Sequence, residues 1–219
     1  VWTHTLLVLD AAAGLRRGDG DDFALMLGAL CHDLGKPATT ERSDEEDGMR
    51  IRSPAHDRAG IAPTRALLER LRASNALVTA VCALVEHHLA PALFVRQGAG
   101  PRAYRRLARK LEAAGVSIDL LVRVARADHL GRTTDEALAG SFPAGDAFLA
   151  ASAALDISRH GPQDVVLGRH VLARGVPPGP GVGRILEACR GVQDETGETD
   201  PDRILDAVLA GDGPSDPRP

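Results

Sequence analysis

The residues of this sequence best suited to chemistry are histidines and aspartates at the predicted ends of helices. His32 and Asp33 directly follow Phe23–Cys31, a run that is apolar almost all round. Such a helix is buried on several sides, and an ionisable pair at its end is costly unless its charge is compensated. Adjacent helical side chains point about 100° apart, but at a helix end both can converge on one ion. A divalent metal ion is therefore predicted beside His32 and Asp33.

Further ligands must come from other helices. Residues of suitable type lie in the first helix, at the start of the third, at the end of the fourth and in the sixth: His4, His56, His88 and Asp128. Mixed imidazole and carboxylate ligands suit Mn, Fe, Co, Ni or Zn, whereas all-oxygen sites suit Mg or Ca. The alternative is that these histidines only cap helices.

The composition is that of a soluble globular chain of 219 residues, with 44% hydrophobic and 26% charged residues. Aromatic residues make up only 3%, so the core must consist mostly of Ala, Leu and Val, which favours helices over a β-sandwich. The net charge of -4 argues against an extended nucleic-acid-binding surface, because proteins that coat nucleic acid are usually basic. Contact with a single nucleotide or an RNA end remains open.

The cysteines indicate a reducing compartment. Three are present and none forms a CxxC pair, which argues against a disulfide framework and a zinc ribbon. No apolar run approaches the roughly 20 residues of a membrane span, and no signal peptide is recognisable. We therefore expect a cytoplasmic protein with no membrane partner. The sequence predicts no oligomeric state.

Apolar periodicity, caps and helix breakers predict an all-α fold. The charged stretch 41–50 is predicted to be a mobile loop. From Gly161 prolines and glycines alternate, so 1–160 is predicted to be the main domain, 161–210 a small C-terminal helical extension and 211–219 a disordered tail. The predicted helices cover about 2–13, 21–33, 57–71, 75–88, 101–114, 118–129, 144–159, 182–194 and 201–210.

Several segments resemble a known family. CHDLGKP (Cys31–Pro37), ADHLGR (Ala127–Arg132) and the early His4 resemble the H…HD…D signature of the HD phosphohydrolase superfamily. The intervening histidines resemble the variant of that family with two metals. SPAHDRAGIAPTRALLERL (Ser53–Leu71) and VEHHLAP (Val85–Pro91) are similar to the HD domain of bacterial CCA-adding enzymes, the tRNA nucleotidyltransferases. The resemblance implies an HD-domain helical bundle.

The nucleotidyltransferase domain of that family has no counterpart here. The dense acidic patch before the HD motif, Asp19–Asp22, is interpreted as a helix cap, so we expect no CCA addition. The resemblance implies a phosphodiesterase and phosphatase that acts on 2′,3′-cyclic phosphodiesters and on nucleotide or RNA-terminal phosphomonoesters, in RNA end processing or repair. Two alternatives stay open: a 5′-nucleotidase-type HD enzyme, and a non-catalytic module that docks tRNA or dimerises.

The resemblance also implies roles for single residues. Two ions, of Ni, Mn or Co with Mg or Fe as alternatives, would be held by His4, His32, Asp33 and Asp128 and by Asp33, His56 and His88. His87 is the rival of His88, and is otherwise a substrate contact. Asp33 and Lys36 are the expected catalytic residues, and Lys36 and Arg132 are expected to contact the substrate phosphate. The alternatives are that Lys36 complements the helix dipole and that Arg132 has a surface role.

Overall fold

The computed structural model describes residues 1–45 and 48–211, and it confirms the all-α class. A single antiparallel hairpin accompanies the helices of the described residues. The elements are α1 (Trp2–Gly14), α2 (Asp22–Cys31), α3 (Lys36–Thr39), β1 (Glu41–Glu45), β2 (Gly48–Arg52), α4 (His56–Ala59), α5 (Ile61–Arg70), α6 (Asn75–His87), α7 (Ala90–Gln97), α8 (Pro101–Ala113), α9 (Ile118–Leu130), α10 (Asp135–Leu138), α11 (Pro143–Ala154), α12 (Gly168–Ala173), α13 (Pro180–Thr196) and α14 (Pro201–Leu209).

Helix α9 is the centre of the larger of two compact units, which consists of Val1–Ala99 and Ala108–Gly161. Most of its residues are buried, and it packs against α1, α2, α6, α10 and α11. Ser117 starts the helix, since its hydroxyl accepts a hydrogen bond from the N–H of Leu120 at 3.1 Å. Asp128 lies near the other end of this buried helix.

The smaller unit consists of Gly100–Leu107 and the residues from Pro162 onward. Helices α12, α13 and α14 pack together there around Val171, Cys189 and Ile204. The division of the chain at residue 160 stays a prediction. Except for its first residue, the expected disordered tail at 211–219 lies outside the described residues.

A glycine allows α2 to lie close to both α6 and α9. A Cβ on Gly28 would be 3.1 Å from a methyl group of Val124 and 3.4 Å from one of Leu84. The absence of a side chain therefore lets the apolar helix fit between its neighbours. As a result, the carboxyl ends of α2, α6 and α9 lie near one another, and each carries a candidate ligand.

The loop prediction for 41–50 was wrong. Glu41 pairs with Arg52 and Glu45 with Gly48 in a two-stranded hairpin. Apolar alternation gives no signal here, because the strand residues whose exposure is described, 41–43, 51 and 52, are all exposed, Ile51 at 61%. Backbone pairing without a buried side is invisible to a periodicity argument.

Some helix bounds also differ from the prediction. The helix expected at 57–71 is two helices, α4 and α5, which meet at Gly60. Pro63 lies in the first turn of α5, where its missing N–H is tolerated. The helix expected at 144–159 ends at Ala154, and Asp156 adopts a left-handed conformation with φ 55° just after it. The short helices α3, α7, α10 and α12 were not predicted.

One stretch of the described residues, Asn75–Gln97, is long and apolar enough to cross a membrane by length and composition alone. This stretch is longer than the apolar runs expected from the sequence, because α6 and α7 follow each other almost directly. Core helices of soluble proteins meet the same criterion, and α6 buries Val81, Leu84 and Val85 within the larger unit. Core packing of α6 accounts for part of its apolar character.

Candidate metal centre

Six sequence-predicted ligands lie together in the larger unit. His32 caps the carboxyl end of α2 and is followed by Asp33, and His88 caps the same end of α6. The others come from α1, α4 and α9: His4, His56 and Asp128. His32, His88, Asp33 and Asp128 are all buried. Residues far apart in the chain therefore supply one polar cluster inside an apolar bundle.

All four imidazoles of this cluster are held in the same way. Each Nδ1 lies within hydrogen-bond distance of a backbone carbonyl oxygen, and a carbonyl can only accept, so Nδ1 must carry the proton. In a neutral ring this leaves Nε2 with its lone pair. The pairs are His4 with Gly131 (3.1 Å), His32 with Ala29 (2.7 Å), His56 with Ser53 (2.8 Å) and His88 with Val85 (2.6 Å).

The Nε2 atoms and the carboxylates form two adjacent triads. In the first triad, His4 Nε2 lies 3.4 Å from His32 Nε2 and 3.0 Å from an oxygen of Asp128. The second triad contains Asp33, His56 and His88, and His56 Nε2 lies 3.5 Å from Asp33 Oδ1. In each triad the three ligand atoms lie within 4.8 Å of one another.

This arrangement fits divalent metal ions. Two imidazole nitrogens that face each other with their lone pairs need a cation between them, and two buried carboxylates add negative charge at the same place. The Nε2 of His88 is buried and has no hydrogen-bond partner in the described part of the chain. An imidazole whose other nitrogen donates to a carbonyl is the usual form of a histidine ligand.

The pKa shifts follow from the same contacts. Burial alone would raise the pKa of Asp128, but contact with the His4 ring, which donates from Nε2 when protonated, and the charge of Arg132 hold that pKa well below the usual range. Burial would also raise the pKa of Asp33, but His32 and Lys36 lower it. The neighbouring carboxylate of Asp128 raises the pKa of His4, because it stabilises the protonated ring. Desolvation lowers the pKa of His88 to about 4, so that ring is neutral at physiological pH.

A cavity of about 270 Å³ opens beside the triads. Lys36 and Arg132 contact the ligand carboxylates, with Lys36 Nζ 2.7 Å from Asp33 and an Arg132 nitrogen 2.9 Å from Asp128. His87 is neither a lining residue nor a member of a triad, although its neighbour His88 is. The lining residues are His4, Asp33, Lys36, His56, Leu89, Asp128 and Arg132.

Three residues that position the ligands were not predicted from the sequence. A Cβ on Gly35 would lie 2.0 Å from the carbonyl oxygen of His56, and one on Gly131 would lie 2.4 Å from a methyl group of Val8. Both glycines thus permit the close approach of two ligand-bearing segments. Ala55 adopts a left-handed conformation, φ 53°, immediately before His56. The two glycines lie within the quoted motifs and were the available signal, whereas nothing in the sequence marks Ala55.

Comparison with known proteins relates this chain to HD domains and to tRNA nucleotidyltransferases. The sequence profile of the HD domain matches residues 1–132. An A-adding tRNA nucleotidyltransferase of Deinococcus radiodurans is 34% identical over 174 residues, which are 79% of this chain and 38% of the relative. A multifunctional CCA protein of Pasteurella multocida is 31% identical over 137 residues, which are 60% of this chain and 30% of the relative.

The chain thus spans less than two fifths of the length of these curated relatives. No solved structure gives a significant match. HD domains bind divalent metal ions, and the profile match ends at Arg132, so it includes every residue of both triads. It also covers more than half of the 219 residues, and on that basis the chain belongs to the HD domain family.

Proposed function

We propose that this chain is a metal-dependent phosphohydrolase that cleaves 2′,3′-cyclic phosphodiesters and nucleotide or RNA-terminal phosphomonoesters. The observation that carries the proposal is the set of four imidazoles whose Nδ1 atoms face backbone carbonyls while their Nε2 atoms group with two carboxylates. Helix capping alone uses one nitrogen of each ring. Grouping the other nitrogens around Asp33 and Asp128 is what a metal-dependent site needs.

The two triads support a proposal of two ions, of Ni, Mn or Co. His4, His32 and Asp128 would hold the first, and His56 and His88 would hold the second. Asp33 could contribute to both, because Oδ2 lies 3.3 Å from His32 Nε2 whereas Oδ1 lies 3.5 Å from His56 Nε2. When bound, such ions activate water and stabilise negative charge on phosphate oxygens.

The side chains around the cavity position the substrate. The Lys36 ammonium faces the cavity from the Asp33 side, and we propose that it neutralises a phosphoryl oxygen and assists the leaving oxygen. Arg132 lies on the Asp128 side as a second proposed phosphate contact. In the reaction, the oxygen of a water molecule would bond to phosphorus as the ester P–O bond breaks. The proton that this water loses would pass, through the surrounding solvent, to the leaving oxygen. His87 lies away from the cavity lining, which weakens its proposed substrate contact.

The substrate class rests on the cavity and on the named relatives. A cavity of about 270 Å³ has room for a phosphate with its attached sugar. The relatives are called tRNA nucleotidyltransferases and CCA proteins, which supports an RNA end as the substrate. The proposal places the protein in RNA end processing or repair, in the cytoplasm.

The test is hydrolysis by purified protein loaded separately with Ni²⁺, Mn²⁺, Co²⁺ or Mg²⁺. The substrates are 2′,3′-cyclic AMP, 2′-AMP, 3′-AMP, 5′-AMP and bis-p-nitrophenyl phosphate. Asp33→Asn removes the shared carboxylate charge with little change of shape. Asp10→Asn is the matched control, because Asp10 is an exposed carboxylate on α1.

We expect opening of the cyclic ester by the parent and by Asp10→Asn, and its loss in Asp33→Asn. Turnover of 5′-AMP alone would replace the proposal by a 5′-nucleotidase. A folded parent protein that binds none of these metals and turns over none of the substrates would leave the non-catalytic docking module.

A further inference from the structure

Two cations line the cavity, and each pairs with a carboxylate one helical turn earlier in the chain. Lys36 lies three residues after Asp33, and Arg132 lies four residues after Asp128. Their side chains are 28% and 47% exposed, whereas those of their partners are 3% and 9% exposed. Both cations are therefore free to turn on the solvent side of fixed anions.

The two cations use different carboxylate oxygens. Lys36 Nζ lies 2.7 Å from Oδ2 of Asp33, the oxygen that also faces His32 Nε2 at 3.3 Å and His4 Nε2 at 3.9 Å. That oxygen is turned toward the first triad. Lys36 therefore occupies an atom that an ion held by His4 and His32 would require.

Arg132 is placed differently. Its guanidinium donates to Oδ2 of Asp128 at 2.9 Å, whereas the oxygen directed at His4 Nε2 and His32 Nε2 is Oδ1, at 3.0 and 3.7 Å. The hydrogen bond from Arg132 is thus compatible with an ion at the first triad. It also fixes the rotation of the carboxylate, so that Oδ1 faces the imidazoles.

We propose that Lys36 is an exchangeable counterion: it balances Asp33 until a metal ion binds there, and then transfers to a phosphoryl oxygen of the substrate. Arg132 stays on Asp128 and is a positioning residue for the metal. This inference rests on the proposed phosphohydrolase function and gives it a regulatory feature. A lysine suits the exchange, because its ammonium is a compact point charge on a flexible stem.

The exchange couples two binding events. While Lys36 is paired with Asp33 it opposes metal binding, and once released it is a cation beside the cavity with no carboxylate to balance it. Metal binding therefore creates the phosphate-binding cation, so metal and phosphate bind cooperatively. By linkage, phosphate must raise metal affinity by the same factor by which metal raises phosphate affinity. Without the Lys36 ammonium this part of the coupling disappears.

The test measures binding by isothermal titration calorimetry, with Ni²⁺ and inorganic phosphate as probes. The variants are Lys36→Gln, Arg132→Gln and Lys110→Gln, the last being a matched control at the only other lysine of the chain. Each protein is titrated with Ni²⁺ alone, with Ni²⁺ in the presence of phosphate, and with phosphate after Ni²⁺ loading. Melting temperatures show that each variant is folded.

The two cavity variants are expected to change Ni²⁺ affinity in opposite directions. Lys36→Gln should bind Ni²⁺ about tenfold more tightly than the parent, because a partly screened competing charge is removed. The factor by which phosphate raises the Ni²⁺ affinity of this variant should be about tenfold smaller than in the parent, a change within the usual range of coupling between sites. Arg132→Gln should bind Ni²⁺ about tenfold more weakly, because loss of a group that orients a ligating side chain commonly lowers metal affinity by about that factor. Lys110→Gln should match the parent.

Unchanged or weaker Ni²⁺ binding by Lys36→Gln would overturn the inference, as would coupling equal to that of the parent. A merely structural Lys36 would weaken both kinds of binding together. The titrations do not depend on turnover. A parent protein that shows the expected binding but hydrolyses no ester would refute the proposed function and leave the counterion exchange in place.

Discussion

Gly35→Ala tests how the fold positions the second triad. Gly35 has φ −79°, a conformation that alanine adopts without strain, so the new Cβ is the whole perturbation. That Cβ would lie 2.0 Å from the carbonyl oxygen of His56 and 2.6 Å from the backbone nitrogen of Gly60. An ordinary contact begins near 3.4 Å, so the backbone at the start of α4 must withdraw by roughly 1.4 Å, a displacement that a packed interior resists.

The displacement acts directly on a ligand. His56 lies on the segment that must move, and its Nε2 is 3.5 Å from Asp33 Oδ1. Overpacking of this kind costs about 1–3 kcal/mol of the free energy of unfolding. A misplacement of about 1 Å at a reacting centre lowers the rate about 100-fold. Hydrolysis of bis-p-nitrophenyl phosphate should therefore fall by that factor.

The assay combines urea unfolding, Ni²⁺ titration and hydrolysis. Gly14→Ala is the matched control, because a Cβ there meets nothing within 4 Å. We expect Gly35→Ala to remain folded and to lose Ni²⁺ affinity at one site while the control keeps it. If Gly35→Ala binds Ni²⁺ with the parent's stoichiometry and affinity, the argument that this glycine sets the position of α4 is refuted.

Three further predictions follow from single contacts. His88→Ala should lower Ni²⁺ affinity by about 100-fold or more, whereas His87→Ala should leave it unchanged; equal losses in a Ni²⁺ titration would refute the choice of His88. Ala55→Gly should raise the free energy of unfolding in urea by about 0.5 kcal/mol, because relief of left-handed strain exceeds the added entropy of the unfolded chain; a loss of stability would contradict this. Desolvation alone would raise the pKa of Asp22, but two backbone N–H groups and the buried Arg123 guanidinium lower it to about 2. Its stabilising contribution is therefore complete above about pH 4 and is lost as the pH falls toward 2, so Asp22→Asn should flatten the pH dependence of unfolding in that interval; an unchanged profile would count against it.

The long helices could be predicted from the sequence, because the positions of their apolar residues indicate which faces are buried. The run before His32 is apolar on several sides, and in the structure it packs against both α6 and α9. The hairpin at 41–45 and 48–52 was missed because its sequence has no apolar alternation, and the strand residues of described exposure, 41–43, 51 and 52, are all exposed. The chain divides between α4 and α5 at Gly60, whose Cβ would lie 3.0 Å from Val85; such a tertiary contact has no local signature.

The site was predictable in its residue types but not in its geometry. The order of His4, the His32–Asp33 pair and Asp128 resembles a family signature, and the structure brings these residues together. Which oxygen of Asp33 faces which imidazole depends on the approach of separate helices. The left-handed Ala55 before His56 is likewise a product of tertiary packing, since alanine has no intrinsic preference for that conformation.

Helix capping and metal binding were posed as alternatives for these histidines, and the geometry shows that they do not exclude each other. The Nδ1 of His32 and that of His88 each donate to the carbonyl three residues earlier, in the last turn of α2 and α6. A carbonyl at a helix end needs such a donor. The same bond fixes the ring so that Nε2 points away from its own helix. The cap therefore orients a histidine that lies just past the end of a buried helix. Where the ends of α2 and α6 come together, the rings of His32 and His88 lie 5.5 Å apart, centroid to centroid.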